Sequence, residues 1–186
     1  MAINVEQIIA DSLIELSNSK PLAKITISDI VNRSGIARQT FYNHFLDKND
    51  LIYWIFKSTL RGERHLVEEC GCFAYLCSLY TEAQKKASFL KQACDLQGQN
   101  ALSAAIYQQT YDYYKNLILK KWGPEVVNEE LEYALVFNSY GAGSLYVKWA
   151  KEGMTGDPVT RARYAIHCMP EIMKKYILIK PEDKNC

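Results

Sequence analysis

Apolar positions recur every three or four residues along almost the whole chain, the spacing of amphipathic helices, and no run alternates in polarity as a half-buried strand would. Val5, Ile8, Ile9, Leu13 and Leu16 form the first stripe; Asn4 with Gln7 can cap its start, and Pro21 closes it after the polar run SNSK. Thr26 and Asp29, three apart, predict a capping box for a second helix with an inner face of Ile27, Ile30 and Val31. Gly35 follows its last turn, where a left-handed residue is needed and glycine adopts it at little cost. A third helix is predicted over 38–45, and Asp47 with Asp50 caps a fourth that runs through LIYWIFKSTLRGERHL.

After residue 70 the helices lengthen and their faces turn aromatic. The pattern predicts helices near 72–81, 84–96, 100–122, 126–152 and 158–179, with Gly123-Pro124 and Gly156-Asp157-Pro158 as the clearest breaks. Pro170 lies inside the last of them, so that helix should kink or end near His167 to Met169. The expected fold is all-α with about nine helices. A three-helix domain over 1–48 precedes a larger helical domain over 49–186, and the tail KPEDKNC should be loose.

Composition narrows the class. With 186 residues, 48% hydrophobic and 23% charged, the chain has ordinary globular content, which argues against disorder. No stretch approaches the roughly 20 apolar residues needed to cross a bilayer. The opening MAINVEQIIADSLIEL lacks the basic leader and apolar run of a signal peptide, so a cytoplasmic protein without membrane association is expected. Six cysteines do not require a disulfide frame in a chain this long. Cys70, Cys72 and Cys77, with His65 nearby, lack the second ligand pair of the usual zinc patterns and read as packing residues; neither metal nor cofactor is expected.

Net charge is +1, and residues 1–50 carry five Lys and Arg against six Asp and Glu. Binding to nucleic acid must therefore rest on local placement and neutral hydrogen-bond donors. The third helix offers both. On a wheel of about 100° per residue, Phe41 and Phe45 fall on one side with Ile36 feeding in from the turn, while Gln39 and Asn43 lie nearly opposite. Thr40 and Tyr42 flank them, and Arg38 opens the helix. Such an edge fits the major groove, where Gln and Asn can pair with adenine and Arg with guanine. The amino ends of the second and fourth helices, near Thr26 and Lys48, suit phosphates.

The run TISDIVNRSGIARQTFYNHFLDKNDL resembles the amino-terminal helix-turn-helix of TetR/AcrR-type transcription regulators in spacing and residue type. Thr26, Asp29-Ile30, Gly35-Ile36, Thr40-Phe41-Tyr42, His44-Phe45, Lys48 and Leu51 carry the match. The resemblance implies that Tyr42 and Lys48 touch phosphates and that Thr40 and His44 help to seat the helix on the backbone. It leaves base choice to Arg38, Gln39 and Asn43. Ala37 departs from the pattern, standing where many members carry a capping serine; losing such a cap typically costs about 1 kcal/mol.

Farther on, NSYGAGSLYVKWAKEGM and DPVTRARYAIHCMP look like the last two helices of these regulators, which implies pairing of two copies through a four-helix bundle. Leu131, Ala134, Leu135, Asn138, Ala142, Leu145 and Trp149 make a long stripe, and Gly141 to Ser144 are small enough for close approach. The expected homodimer interface includes Ala134, Asn138, Ala142, Leu145, Trp149 and Ile166. Two heads on one duplex would offset the weak charge of each and require an inverted-repeat operator.

The family comparison further implies an effector pocket in the middle of the chain, with Tyr75, Tyr107, Tyr111 and Tyr114 as its lining; plain core packing of these tyrosines is the competing reading. The block RQTFYNHFLDKNDLIYWIF is similar to the branch associated with dihydroxyacetone-kinase genes, in which a partner protein replaces a directly bound metabolite. The function expected is thus a sequence-specific regulator on double-stranded DNA, controlled by a small-molecule ligand or a co-regulator protein. A helical adaptor without DNA binding is the alternative. An enzyme would have to assemble His65, His167, cysteines and Glu68-Glu69, and no spacing among them places a nucleophile, a base and an orienting group together.

Overall fold

Three of the four helices at the amino end start on a polar side chain. In this computed structural model, which describes residues 4–61, 65–96 and 102–178, with side chains assigned outside 60–70, α1 (Val5–Ser17) begins where Asn4 accepts the Gln7 N–H at 3.1 Å. A single 3-10 turn, Leu22–Lys24, follows Pro21. At α2 (Ile27–Ser34) the capping box is complete: Asp29 N–H donates to Thr26 Oγ1 at 3.2 Å and Thr26 N–H to Asp29 Oδ2 at 2.7 Å. Gly35 ends it at φ 71°. Helix α3 (Arg38–His44) starts without a side-chain cap, because Ala37 has none to offer. For α4 (Lys48–Arg61), Asp47 accepts the Asp50 N–H at 2.8 Å and Asp50 accepts the Leu46 N–H at 3.1 Å.

These helices close over Ile9, Leu13, Ile30, Phe41, Phe45 and Leu51, all buried. The Phe45 ring meets Trp54 edge-on at 5.9 Å, joining this head to the middle of α4.

The body comprises α5 (His65–Lys85), α6 (Ala87–Asp95), α7 (Leu102–Trp122), α8 (Glu129–Lys151), α9 (Pro158–Cys168) and α10 (Glu171–Ile177). Gly71 (φ 85°, ψ 171°) breaks the helical path of α5, a backbone setting that only glycine takes readily. Helices α7 and α8 lie close together: a Cβ on Gly143 would meet Ile106 Cγ2 at 3.5 Å and the Tyr107 backbone at 3.6 Å. Trp149 fills the centre of the body; its indole donates to the Thr155 carbonyl at 2.8 Å and Tyr80 meets it edge-on at 5.4 Å.

Ten α-helices are thus found among the described residues, because Pro170 separates α9 from α10. The helix expected over 84–96 is divided at Lys86, whose φ of −109° and ψ of 22° turn the chain between α5 and α6. The one expected from 126 starts at Glu129, after a 3-10 turn at Pro124–Val126, since Asn128 accepts the Leu131 N–H at 2.9 Å. The side chains of His65, Glu68, Glu69 and Cys70, the residues joining α4 to α5, and the tail with Cys186 lie outside the described residues. Among the described residues no cluster of three metal-ligating side chains occurs, and no helix is long and apolar enough to cross a membrane. Cys72 is a packing thiol, pushed up to about 12 by burial.

Candidate nucleic-acid interface

Phe41 and Phe45 pin α3 to the head with ring centroids 5.8 Å apart, which turns Arg38, Gln39, Tyr42, Asn43 and His44 outward and leaves Thr40 half-buried. The outward groups are ordered by one another. Arg38 donates to Ser28 Oγ at 3.0 Å and to the Tyr42 hydroxyl at 3.2 Å, with its guanidinium 5.6 Å from the Tyr42 ring centre. Gln39 Nε2 donates to Asn43 Oδ1 at 3.2 Å. That bond leaves the Gln39 carbonyl free to accept and the Asn43 amino group free to donate, the two kinds of group an adenine edge requires. His44 leans toward α1, with Nδ1 3.7 Å from Glu6 Oε1.

Much of the head's negative charge is committed elsewhere. Glu15 binds Arg33 at 2.5 and 2.9 Å, Asp47 and Asp50 cap α4, and Asp29 takes Lys20 Nζ at 2.6 Å. The Lys20 bond first, then those from Thr26, hold the Asp29 carboxyl well below the usual carboxylate range. Thr26 is exposed, but its hydroxyl both donates to Asp29 at 2.8 Å and accepts the Asp29 N–H.

Lys48 is differently placed than the sequence suggested. Its ammonium donates to the carbonyls of Leu22 at 2.8 Å, Ala23 at 3.3 Å and Ile25 at 2.8 Å, and partial desolvation lowers its pKa. All three N–H donors are taken, so a phosphate reaching Lys48 must displace one of these bonds.

The tyrosines expected to form one pocket divide into two groups. Tyr75 and Tyr114, with Phe56, Ile106, Gln109 and Tyr146, line an internal cavity of about 60 Å³. Tyr107 instead stacks on Tyr140 at 3.9 Å, and the Tyr111 hydroxyl binds the Glu132 carboxylate and accepts from Lys115 at 2.7 Å. Tyr107, Tyr111 and Tyr114 share a stripe of α7, but α5 covers it at Tyr114, beside Cys72, while Tyr111 and Tyr107 meet α8 instead. Burial pushes Tyr80 up to about 12 and raises Tyr146 and Tyr114 as well, so these phenols stay neutral.

The stripe expected for pairing also needs correction. Ala134, Asn138 and Trp149 are buried within the chain itself, Ala142 and Ile166 are half-buried, and Leu145 is exposed. A neighbouring stripe, Tyr133, Phe137, Tyr140 and Leu145, is open to solvent, with Tyr164 of α9 beside it. Leu145 belongs to both stripes; Tyr133, Phe137 and Tyr140, at spacings of four and three, form a second helical face that periodicity does not separate from the inward one, because both are apolar.

A small helical head with a pinned, outward-facing polar helix, joined to a larger helical body, defines a helix-turn-helix DNA-binding regulator. Comparison with known proteins agrees. Residues 9–58 match the family described as bacterial regulatory proteins, tetR family, and residues 73–169 match a transcriptional regulator C-terminal region of the same family. The chain belongs to the TetR family of transcription regulators, whose members are not enzymes.

It is similar to the HTH-type dhaKLM operon transcriptional activator DhaS of Lactococcus lactis subsp. lactis (strain IL1403), at 39% identity over 57 residues. That match takes in 31% of this chain and 30% of the relative, under a third of its length. Among solved structures it resembles a dihydroxyacetone kinase operon activator DhaS, with TM-score 0.70 at 18% identity over 95% of this chain and 99% of the other, a likeness of fold.

Proposed function

We propose that this regulator reads an inverted-repeat operator in double-stranded DNA as a cytoplasmic homodimer, with α3 of each copy in the major groove. The observation that carries this is the α3 edge itself: Arg38, Gln39, Tyr42 and Asn43 stand outward, mutually bonded, on a helix fixed from behind by two buried phenylalanines. Arg38, Gln39 and Asn43 choose bases; Tyr42, Thr40, His44 and the Thr26 end of α2 seat the helix on phosphates.

The second copy covers the exposed Tyr133, Phe137, Tyr140 and Leu145 of α8 and Tyr164 of α9, an apolar face too continuous to leave in water. Phe137→Arg should yield a helical monomer in sedimentation, with operator affinity reduced to that of a single head.

Control acts through the body. The tyrosine cavity, 60 Å³, is small for a metabolite, and the adjoining 260 Å³ pocket that shares Tyr80, Asn138 and Tyr146 opens beside Phe137, Leu145 and Tyr164 of the pairing face, so we favour a co-regulator protein as the controlling partner, with a small molecule in the joined pockets as the alternative. The relative's role as an activator of a dhaKLM operon makes dihydroxyacetone-kinase genes the first targets to examine. Sequencing genomic fragments retained by the purified protein tests the reading directly. An enriched inverted repeat supports it; uniform retention of all sequences would sink it.

A further inference from the structure

The described residues contain one polar side chain that reaches from the body into two parts of the head. Gln92, half-buried on α6, accepts the Leu22 N–H on Oε1 at 2.7 Å and donates from Nε2 to the Ser17 carbonyl at 2.8 Å. Its amide also lies 3.4 Å from the Ser88 carbonyl one turn earlier on its own helix. Ser17 is the last residue of α1 and Leu22 the first of the 3-10 turn, so a single side chain spans the linker between them. It gives a partner to a carboxyl-terminal carbonyl of α1 and to a turn-opening N–H, both groups that helix ends leave unsatisfied.

The far side of the same turn is held by Lys48, whose ammonium takes the Leu22, Ala23 and Ile25 carbonyls. The segment leading into α2 and α3 is therefore gripped from two directions, by α6 through Gln92 and by the start of α4 through Lys48. Helix α6 is itself fixed. Lys86, just before it, donates to Thr59 Oγ1 of α4 at 2.8 Å, Phe89, Leu90, Ala93 and Cys94 are buried, and Asp95 pairs with Lys151 of α8 at 3.2 Å. A polar chain thus runs from α8 through α6 to the linker before the DNA-reading helices.

We propose that Gln92 is a positioning residue for DNA recognition: it sets the angle of the reading head on the body, and with it the half-site spacing that the homodimer accepts. The inference rests on the proposed reading of α3 as the helix that enters the groove. Because α8 carries the pairing face, the separation of two heads is defined through α8, α6 and Gln92 in each copy. Without the two bonds the head keeps its own core and its Lys48 clamp but gains freedom to tilt. A dimer with tilting heads still reads bases and loses its ability to reject a wrongly spaced pair of half-sites.

The test uses the full-length protein and its selected operator, compared with operators carrying one base pair more or fewer at the centre, at one fixed salt concentration. Each added pair moves the half-sites apart and rotates them, which a rigid dimer resists. Gln92→Met keeps length and volume and removes both bonds. Its preference for the native spacing should fall about tenfold, the equivalent of two ordinary hydrogen bonds, while base preference within each half-site stays as in the wild type. Gln92→Glu retains the acceptor for Leu22 and should recover part of the preference. Equal spacing discrimination in the wild type and the Met variant overturns the proposal.

Hydrogen exchange on the unaltered protein gives an independent result: the Leu22 amide should exchange no faster than the central amides of α6, and loop-like exchange also overturns it. Should the wild type enrich no inverted repeat, the operator reading fails by itself, and the protection of Leu22 still reports whether the link exists.

Discussion

The head and the body are both helical, yet they are held together by different means. In the head, α1, α2 and α3 are 13, 8 and 7 residues long, short enough that isolated copies would not persist in water. Their ends are fixed by the Asn4 cap, the Thr26–Asp29 box, Gly35 and the Asp47–Asp50 pair. In the body, α7 and α8 run for 21 and 23 residues and are set against each other by a glycine approach and by the stacking of Tyr107 on Tyr140. Local polar bonds define the shape of one region and shared burial that of the other. A reading surface gains from the first arrangement, since the geometry of α3 is set within a few residues of the bases.

The comparison breaks most visibly if the two regions unfold as one. Phe41→Ala and Trp149→Ala each remove a fully buried aromatic ring, a change that costs about 3–5 kcal/mol. Phe41→Ala should abolish DNA binding and amide protection in α2 and α3 while protection in α7 and α8 survives. Trp149→Ala should strip protection from α8 and α9 first. Identical loss across the whole molecule in both variants means that head and body form one cooperative unit.

Changing Gln39 and Asn43 together to alanine sharpens the contrast from the other side, because both amides are exposed and bond only across one turn. Base preference should drop about tenfold to a hundredfold, at about 1–3 kcal/mol per lost bidentate contact. The melting temperature should stay within about two degrees of wild type, as expected for surface positions. Binding assays on operator and scrambled duplexes beside a thermal melt decide the matter; a large fall in melting temperature would show that these amides serve the fold.

This difference also explains what the sequence disclosed. Thr26, Asp29, Gly35, Phe41 and Phe45 act on neighbours within a turn or two, so their spacing announces their roles. Lys48 closes on carbonyls 23 to 26 positions earlier, and Gln92 reaches back 70 and 75 positions. Such contacts leave no local pattern. On α8 the failure has another cause: Leu131, Leu135 and Trp149 face inward while Tyr133, Phe137 and Leu145 face outward, and both stripes are apolar. Periodicity finds the faces of a helix without saying which neighbour covers each. The tyrosines of α7 divided for the same reason, with Tyr114 buried and Tyr111 bonded to Glu132.

Lys48→Met separates a phosphate ligand from a clamp. If the ammonium chiefly holds the Leu22, Ala23 and Ile25 carbonyls, the substitution should destabilise the head by about 1.5–3 kcal/mol, the range for bonds to a charged donor. The salt dependence of operator binding should then keep its slope. A slope reduced by about one unit, with stability unchanged, would assign Lys48 to the DNA backbone.

The smallest effect belongs to Asp29, and its sign follows from the direction of the shift. Its folded-state carboxyl titrates below the ordinary value, with the Lys20 bond as the largest cause and the Thr26 bonds after it. A depressed carboxylate contributes stability above its unfolded pKa, about 3.9, and that contribution is lost as pH falls through the folded value. Asp29→Asn should therefore melt slightly below wild type at neutral pH, and the gap should begin to narrow as pH falls below about 3.9 and close only below the depressed folded value, where the unaltered carboxyl is protonated in both states. Salt should narrow the same gap at neutral pH, because the Lys20–Asp29 pair stands partly in solvent. Thermal melts of both proteins across pH and salt separate charge from shape: a difference that ignores both would mean that asparagine fails to reproduce the geometry of the cap, and the head's reliance on local polar bonds would then rest on fit alone.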